Sequence, residues 1–393
     1  MRITWVTRSF LDYRIPVYKA LNDLCDNQLT VIYYKDTAPK RAQEKLKMIL
    51  GERAIARPYE LRIGNGAKSV NGTAGKYTFR IPLSPGLIKQ VINTQPEALV
   101  SDGFMQWTYA PLAIRMIKRI PHVMCYERTA HTERNSGWIR KSYRRLVSKW
   151  IDVIDCNGEL CAGYVKNLVH FDDTRLTYGH MVADTAGMEA GIKCINDAQC
   201  DELRQQLGIK GIMILYVGRL IELKGVRQLL DAWDIFNETK LSDCTLVYVG
   251  GGPLEEIMRK HIEDKGIKDV VLTGAINYDQ IIPYYKAADC FILPTTSDNW
   301  SLVVPEAMAC GLPVATTIYN GCHPELVHPE NGWVFDSLDR QSIIDVLHKI
   351  VKAKDKLQEM GMESKRIVAS HTAENAAKSI MEGIIKAQTY CRK

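Results

Sequence analysis

Short apolar runs rich in β-branched residues alternate along this chain with longer stretches whose apolar positions recur at helical spacing. In the first half, Ile3–Val6, Leu29–Tyr34, 98–101, His122–Tyr126 and Val153–Cys156 predict strands, with helices between them over 14–25 and 110–119. The second half repeats the alternation more cleanly. There Ile212–Val217, 245–249, 270–273, Cys290–Leu293, 313–316 and Gly332–Phe335 predict strands separated by helical stretches. Such alternation predicts an α/β protein with parallel sheets covered by helices on both faces. Two such halves predict two Rossmann-like domains, 1–185 and 186–372, with sheets facing a central cleft and a seam in the polar stretch 180–200. Residues 373–393 hold one long helical pattern with no strand after it, expected either to cap the second domain or to cross back to the first.

Length agrees with this division, since 393 residues exceed one ordinary domain. Hydrophobic residues make up 46% and charged residues 24%, which fits a soluble globular enzyme and excludes a disordered or fibrous chain. No apolar run approaches the roughly 18 residues of a membrane-spanning helix. Ile3–Val6, directly after Met1-Arg2, is too short for a signal peptide and reads as the first strand. The eleven cysteines are scattered and form no Cys-x-x-Cys pair. That argues against a disulfide framework or structural zinc and for reduced thiols in a cytoplasm. The net charge of +6 suits a phosphate-bearing partner or an anionic membrane surface. Zinc-finger spacing and a basic helix running into heptads are both missing, so nucleic acid is not expected as a partner.

Open parallel sheets bind ligands at the C-terminal ends of their strands, and two facing sheets bind them in the cleft between. Ile212–Val217 runs into Gly218-Arg219, and Lys224-Gly225 follows a short turn before a helix opens near Val226. Gly218 permits a sharp turn. Arg219 and Lys224 share that loop, where two cations would hold a diphosphate and stabilise the charge growing on it as it leaves. An ordinary solvated loop fits the same residues. Strand 245–249 enters Gly250-Gly251-Gly252-Pro253, whose bare amides admit a phosphate or nucleotide closely; a plain tight turn is the alternative. Gly274-Ala275 after 270–273 is either a candidate nucleobase edge or a simple strand end.

The segment from Ser297 to Val314 is more specific. It leaves strand Cys290–Leu293, crosses the polar Asp298-Asn299-Trp300-Ser301, and enters a short helix through Leu302-Val303 that Gly311 ends. The amides of Ser301 to Val303 are expected at the helix N-terminus, an anion site. Asp298 precedes the helix and Glu306 lies a turn or two inside it, so both carboxylates could accept bonds from sugar or ribose hydroxyls. A capping Asp with a surface Glu is the alternative, which the surrounding segment disfavours.

In this order, Gly218-Arg219…Lys224-Gly225, Gly250-Gly-Gly-Pro253, Gly274 and the acidic-x7-Glu element resemble the family-4 retaining glycosyltransferases of the GT-B fold. The resemblance covers 212–335 well and the N-terminal half loosely. It implies that Arg219 and Lys224 hold the donor diphosphate, that the amides after Trp300 bind the distal phosphate, that Glu306 binds ribose hydroxyls, and that Asp298 contacts the transferred sugar. Two positions depart from the family pattern. Asp298 stands where Glu is common, which bears on sugar choice, and Ser301 stands where Gly is common. The stretch from Asp298 to Gly311, with Asn320-Gly-Cys-His323 and Asn331-Gly332, looks like a subgroup that builds bacterial or archaeal cell-surface glycans.

In the first half, Thr7–Tyr13 resembles the family's acceptor-side loop without its glycines, and Arg14 is a candidate for an acceptor anion or donor phosphate, or a helix-start arginine without special role. Strand His122–Tyr126 ends in Glu127-Arg-Thr-Ala-His131. Several family members carry a His here that touches the transferred sugar, so His131 is the choice and Glu127 the competitor, with a surface His as the alternative. Asp102, after 98–101, is a further acceptor-side candidate. Residues 134–151 interleave Arg134, Arg140, Lys141, Arg144, Arg145 and Lys149 with Trp138, Ile139, Tyr143, Leu146, Val147 and Trp150. Such a helix either lies on an anionic membrane and meets a lipid-linked acceptor, or packs its apolar stripe into the core and solvates its charges.

No Asp-x-Asp triplet occurs, which fits a GT-B enzyme that needs neither a metal nor a cofactor beyond its nucleotide-sugar substrate. The resemblance implies transfer with retention to a glycan or lipid-linked hydroxyl, by front-face attack with a phosphate oxygen taking the proton, in a cytoplasm or at the inner face of its membrane. UDP is the favoured nucleotide. The rivals are a sugar-nucleotide epimerase of similar build, against which the Asp298…Glu306 helix argues, and a non-catalytic subunit that binds a membrane or partner enzyme, against which intact Arg219, Lys224 and Glu306 argue.

Overall fold

The computed structural model describes residues 1–63, 81–104, 106–239 and 243–391. They form two compact units, one running to Val182 and rejoined from His371, the other spanning Ala183–Ser370.

The first unit holds β1 (Ile3–Val6), β2 (Leu29–Tyr34), β3 (Ala54–Arg57), β4 (Leu61–Ile63), β5 (Ile81–Leu83), β6 (Ala98–Asp102), β7 (His122–Tyr126), β8 (Val153–Cys156) and β9 (Leu176–Tyr178). Seven of these make one parallel sheet in the order β3-β2-β1-β6-β7-β8-β9, while β4 and β5 pair antiparallel. The central strands are buried along their whole length because helices cover both faces, which is why they read as unbroken apolar runs. Helix Ala373–Cys391 belongs to this unit. It packs on helix Arg14–Leu24 and across β7, β8 and β9. Ala376, Ala377, Ile380, Ile384 and Ala387 enter the same core as Trp5, Tyr18 and Leu21.

The second unit holds β10 (Ile212–Val217), β11 (Cys244–Val249), β12 (Val270–Leu272), β13 (Cys290–Leu293), β14 (Val314–Thr317) and β15 (Gly332–Phe335). They form one parallel sheet in the order β12-β11-β10-β13-β14-β15. The expectation of α/β units with parallel sheets and intervening helices is met in both. Each sheet reverses strand order once, between β1 and β6 in the first unit and between β10 and β13 in the second. Loops diverge at such a point and leave a crevice at the strand ends. Among the described residues no helix is long and apolar enough to cross a membrane.

Candidate active site

The loops leaving β10 and β13 are tied together at the switch point of the second unit. The Leu223 carbonyl accepts from the Thr296 amide at 2.9 Å and from Thr295 Oγ1 at 2.9 Å. Gly225 has φ +66°, and a Cβ there would lie 1.9 Å from the Pro294 carbonyl oxygen, so only glycine lets the two loops close on each other. This closure brings Lys224 to Asp298. The lysine ammonium and Asp298 Oδ2 form an ion pair in which both side chains are mostly buried, 23% and 16% exposed.

Asp298 has further partners. Ser301 Oγ donates to Oδ2 and the Trp300 amide to Oδ1 at 3.2 Å. Its own amide donates to the Tyr319 carbonyl at 3.1 Å, and its carbonyl accepts from the Gly321 amide at 3.1 Å. Helix Val303–Ala309 opens at Leu302, so the Ser301 amide lies ahead of it and donates to Asn320 Oδ1 at 3.3 Å. Asn320 is wholly buried and fixed by its bond to Thr316 Oγ1 at 2.9 Å. Asn299 Oδ1 and Trp300 Nε1 are buried without a hydrogen-bond partner among the described residues. A polar atom held in that condition favours any ligand group that supplies a bond.

Glu306 lies within that helix and is buried. Its Oε1 accepts from Tyr278 Oη at 3.1 Å and its Oε2 from Tyr285 Oη at 3.3 Å. Burial pushes the carboxyl up to about 7; the two tyrosine bonds pull it down and the Asp184 carboxylate adds to the rise. The group therefore changes charge near neutrality, a property that its sequence position does not reveal. Tyr278 and Tyr285 are raised in turn, by burial first and then by Glu306.

The glycines of β10, β11 and β12 interlock. The Gly218 amide donates to the Val249 carbonyl, the Gly250 amide to the Gly274 carbonyl and the Leu220 amide to the Gly251 carbonyl, each at 3.0 Å. At Gly250, with φ +139°, a Cβ would fall 2.0 Å from the Gly218 carbonyl oxygen. A Cβ at Gly251 would fall 3.0 Å from that of Ala275. Close approach between neighbouring loops is thus a sufficient reason for these glycines, whatever they also admit. The Arg219 side chain is exposed, while its carbonyl accepts from Tyr216 Oη at 2.9 Å.

In the first unit, Arg14 and Asp102 meet at the switch point between β1 and β6. Arg14 is buried, 3.8 Å from Asp102 Oδ1, donates to the His180 carbonyl at 3.0 Å, and lies over the Trp5 and Tyr13 rings. Asp102 Oδ2 accepts from Trp5 Nε1 at 3.1 Å. Both side chains are thus engaged inside the fold. Glu127 and His131 lie partly exposed on the loop after β7. That loop is anchored by Glu133, whose carboxylate meets Arg144 at 2.9 Å, Arg128 at 3.1 Å and Arg140 at 3.7 Å. Arg144, expected among solvated charges or on a membrane face, is instead buried among Phe104, Tyr126 and Tyr164. The outward face of helix Trp138–Val147 carries Trp138, Ile139 and Leu146 beside Arg145. Sequence reasoning passed over Tyr278, Tyr285 and Glu133, none of which falls in a recognisable spacing.

Two doubly wound parallel sheets, the second with its charged groups gathered at the switch point, have the GT-B arrangement of glycosyltransferases. Solved structures agree at the level of fold. The Anabaena protein HepE, crystallised with UDP, covers 98% of this chain and 100% of its own at TM-score 0.71 and 15% identity. WaaG, a glycosyltransferase involved in lipopolysaccharide biosynthesis, covers 97% and 99% at TM-score 0.64 and 14% identity. D-inositol 3-phosphate glycosyltransferase of Corynebacterium urealyticum is 23% identical over 390 residues, 89% of each chain. Residues 199–367 match the family described as glycosyl transferases group 1. That segment carries the family's domain, and the chain is a glycosyltransferase that uses a nucleotide sugar. The epimerase alternative finds no support in the family or in these relatives.

Proposed function

We propose that this protein is a retaining, metal-independent glycosyltransferase that moves a sugar from a nucleotide donor, UDP-sugar favoured, onto a hydroxyl of a glycan or lipid-linked acceptor in cell-surface glycan synthesis. The observation that carries it is the meeting of Lys224 with Asp298 at the switch point, on loops that Gly225 allows to close. UDP is favoured because HepE was solved with it. In this reading Lys224 and Arg219 neutralise the diphosphate, Glu306 accepts from the ribose hydroxyls and Asp298 from the sugar. The bond from the anomeric carbon to the phosphate oxygen breaks as the acceptor oxygen bonds to the same face of that carbon. The acceptor proton passes to the departing phosphate oxygen, so no enzymic base is required. Two cations on one loop supply charge that a metal would otherwise provide. Roles for His131, Glu127 and Arg14 rest on resemblance alone.

The lipid-linked acceptor draws support from the first unit. Trp138, 76% exposed, lies with Ile139, Leu146 and Arg145 on one helix face. Met116 and Ile117 are exposed on helix Tyr109–Lys118, which packs on the turn Ser148–Trp150. Exposed indole and aliphatic groups among basic residues suit an anionic lipid interface, which supports the reading of an enzyme at the inner face of a cell membrane. Proton NMR of the product formed from an α-linked donor tests the mechanism: an α-linkage supports it, and a β-linkage refutes retention.

A further inference from the structure

Lys224 and Asp298 raise a question that the donor-site reading leaves open. Both cannot serve the ligand while they serve each other. The loop tie through Leu223, Thr295 and Thr296 holds them together without any ligand. Asp298 is bracketed on Oδ2 by Lys224 and Ser301 and on Oδ1 by the Trp300 amide. We propose that Asp298 is the resting counter-ion of Lys224, and that Lys224 exchanges this carboxylate for the donor diphosphate. The site then favours the sugar-bearing nucleotide over the bare nucleoside diphosphate left after transfer. This inference rests on the donor site proposed above.

When a diphosphate takes the ammonium, Asp298 keeps Ser301 and Trp300 but loses its cation. It is then a mostly buried carboxylate beside a second anion, which is unfavourable in a low dielectric. Sugar hydroxyls on the donor supply the missing bonds. A bare diphosphate supplies none. The same carboxylate therefore rewards the sugar and penalises its absence, a preference built partly on a repulsive element. Once the sugar has left, Asp298 competes for Lys224 again and favours release of the nucleotide, and product release limits turnover in many enzymes. Glu306 cannot do this, because its partners Tyr278 and Tyr285 carry no charge to exchange.

The test is calorimetric titration of wild type, Asp298→Asn, Lys224→Ala and the double variant with UDP and UDP-glucose, or with whichever diphosphate and sugar the wild type binds. Asp298→Asn is expected to bind the bare diphosphate about tenfold tighter and to lose the preference for the sugar-bearing form. In the Lys224→Ala background the same change is expected to bring a clearly smaller gain, since the competition for the ammonium is gone and only the repulsion between Asp298 and the diphosphate is relieved. Asp298→Ser serves if Asp298→Asn does not melt cooperatively. An unchanged or weaker affinity of the Asp298 variant for bare diphosphate, with a normal wild-type isotherm, overturns this inference alone. So does an equal gain in the Lys224→Ala background. A wild type that binds no nucleotide overturns the proposed donor site and this inference with it.

Discussion

Replacing Glu306 by Gln isolates the charge of a carboxyl that burial pushes up to about 7. In the unfolded chain the group titrates near 4.5, so the folded protein binds this proton more tightly. Stability from that proton is fully present below 4.5, is lost as pH rises towards 7, and stays lost above it. From 4.5 to about 7, at roughly 1.4 kcal/mol per pH unit, the ionised carboxylate costs about 3 kcal/mol. Gln keeps the volume and accepts from one tyrosine, but never ionises. Glu306→Gln is therefore expected to melt with the wild type at pH 4.5 and above it at pH 8. The margin in the transition of the second unit, Ala183–Ser370, is about 6–12 °C, allowing 2–4 °C per kcal/mol. Scanning calorimetry of both proteins at half-unit steps from pH 4.5 to 8.5 measures the difference. Parallel curves, with a constant offset at every pH, refute the assignment of a buried carboxyl that titrates near neutrality.

Other outcomes follow from the same geometry. Tyr278→Phe removes a bond that favours ionised Glu306, so the pH at which nucleotide affinity rises should move up by about one unit, read by titration calorimetry between pH 5.5 and 9. Gly250→Ala meets the Gly218 carbonyl at 2.0 Å from a strained φ and should cost about 2–4 kcal/mol, measured as a lowered melting temperature of the second unit. Arg144→Met leaves Glu133 buried with a partner removed and should cost about 3–5 kcal/mol, whereas Arg128→Met, at a half-exposed pair, should cost under about 1 kcal/mol in the same melts. Trp138→Ser should weaken flotation with vesicles containing anionic phosphatidylserine and leave the already weak flotation with neutral phosphatidylcholine unchanged; equal flotation of both proteins on anionic vesicles counts against the membrane face.

How much of this was legible follows from where each residue gets its identity. Strands β10, β11, β13 and β14 of the second unit show in the sequence because they are buried along their whole length, and the half-buried edge strands β12 and β15 show as short apolar runs bounded by Gly or polar loops. In the first unit β3 and β9 escape notice, since they are short sheet-edge strands and β3 is only half buried, with no apolar run to betray it. The order Asp298-x7-Glu306 is legible because one loop and helix carry both residues. The hydroxyls of Tyr278 and Tyr285 reach Glu306 from 28 and 21 residues away, by tertiary packing that no local spacing records. Arg14 and Asp102 show the opposite limit. Sequence places Asp102 at a strand end and Arg14 at a helix start beside the expected cleft, but only the fold shows the two paired, with Arg14 over the Trp5 and Tyr13 rings. In 134–151 the charge pattern is plain, yet the aromatic box that buries Arg144 comes from Phe104, Tyr126 and Tyr164, outside that segment.

The central claim is a metal-independent donor site built on Lys224 and Glu306, and titration calorimetry with nucleotides tests it most directly. Wild type, Lys224→Ala and Glu306→Ala are each titrated with UDP, GDP, ADP and TDP and their common sugars, with and without EDTA. One nucleotide family is expected to bind the wild type equally well in EDTA, and each variant is expected to bind it at least about tenfold more weakly while keeping its melting transition. Binding that vanishes in EDTA, or that is undiminished in either variant, contradicts it.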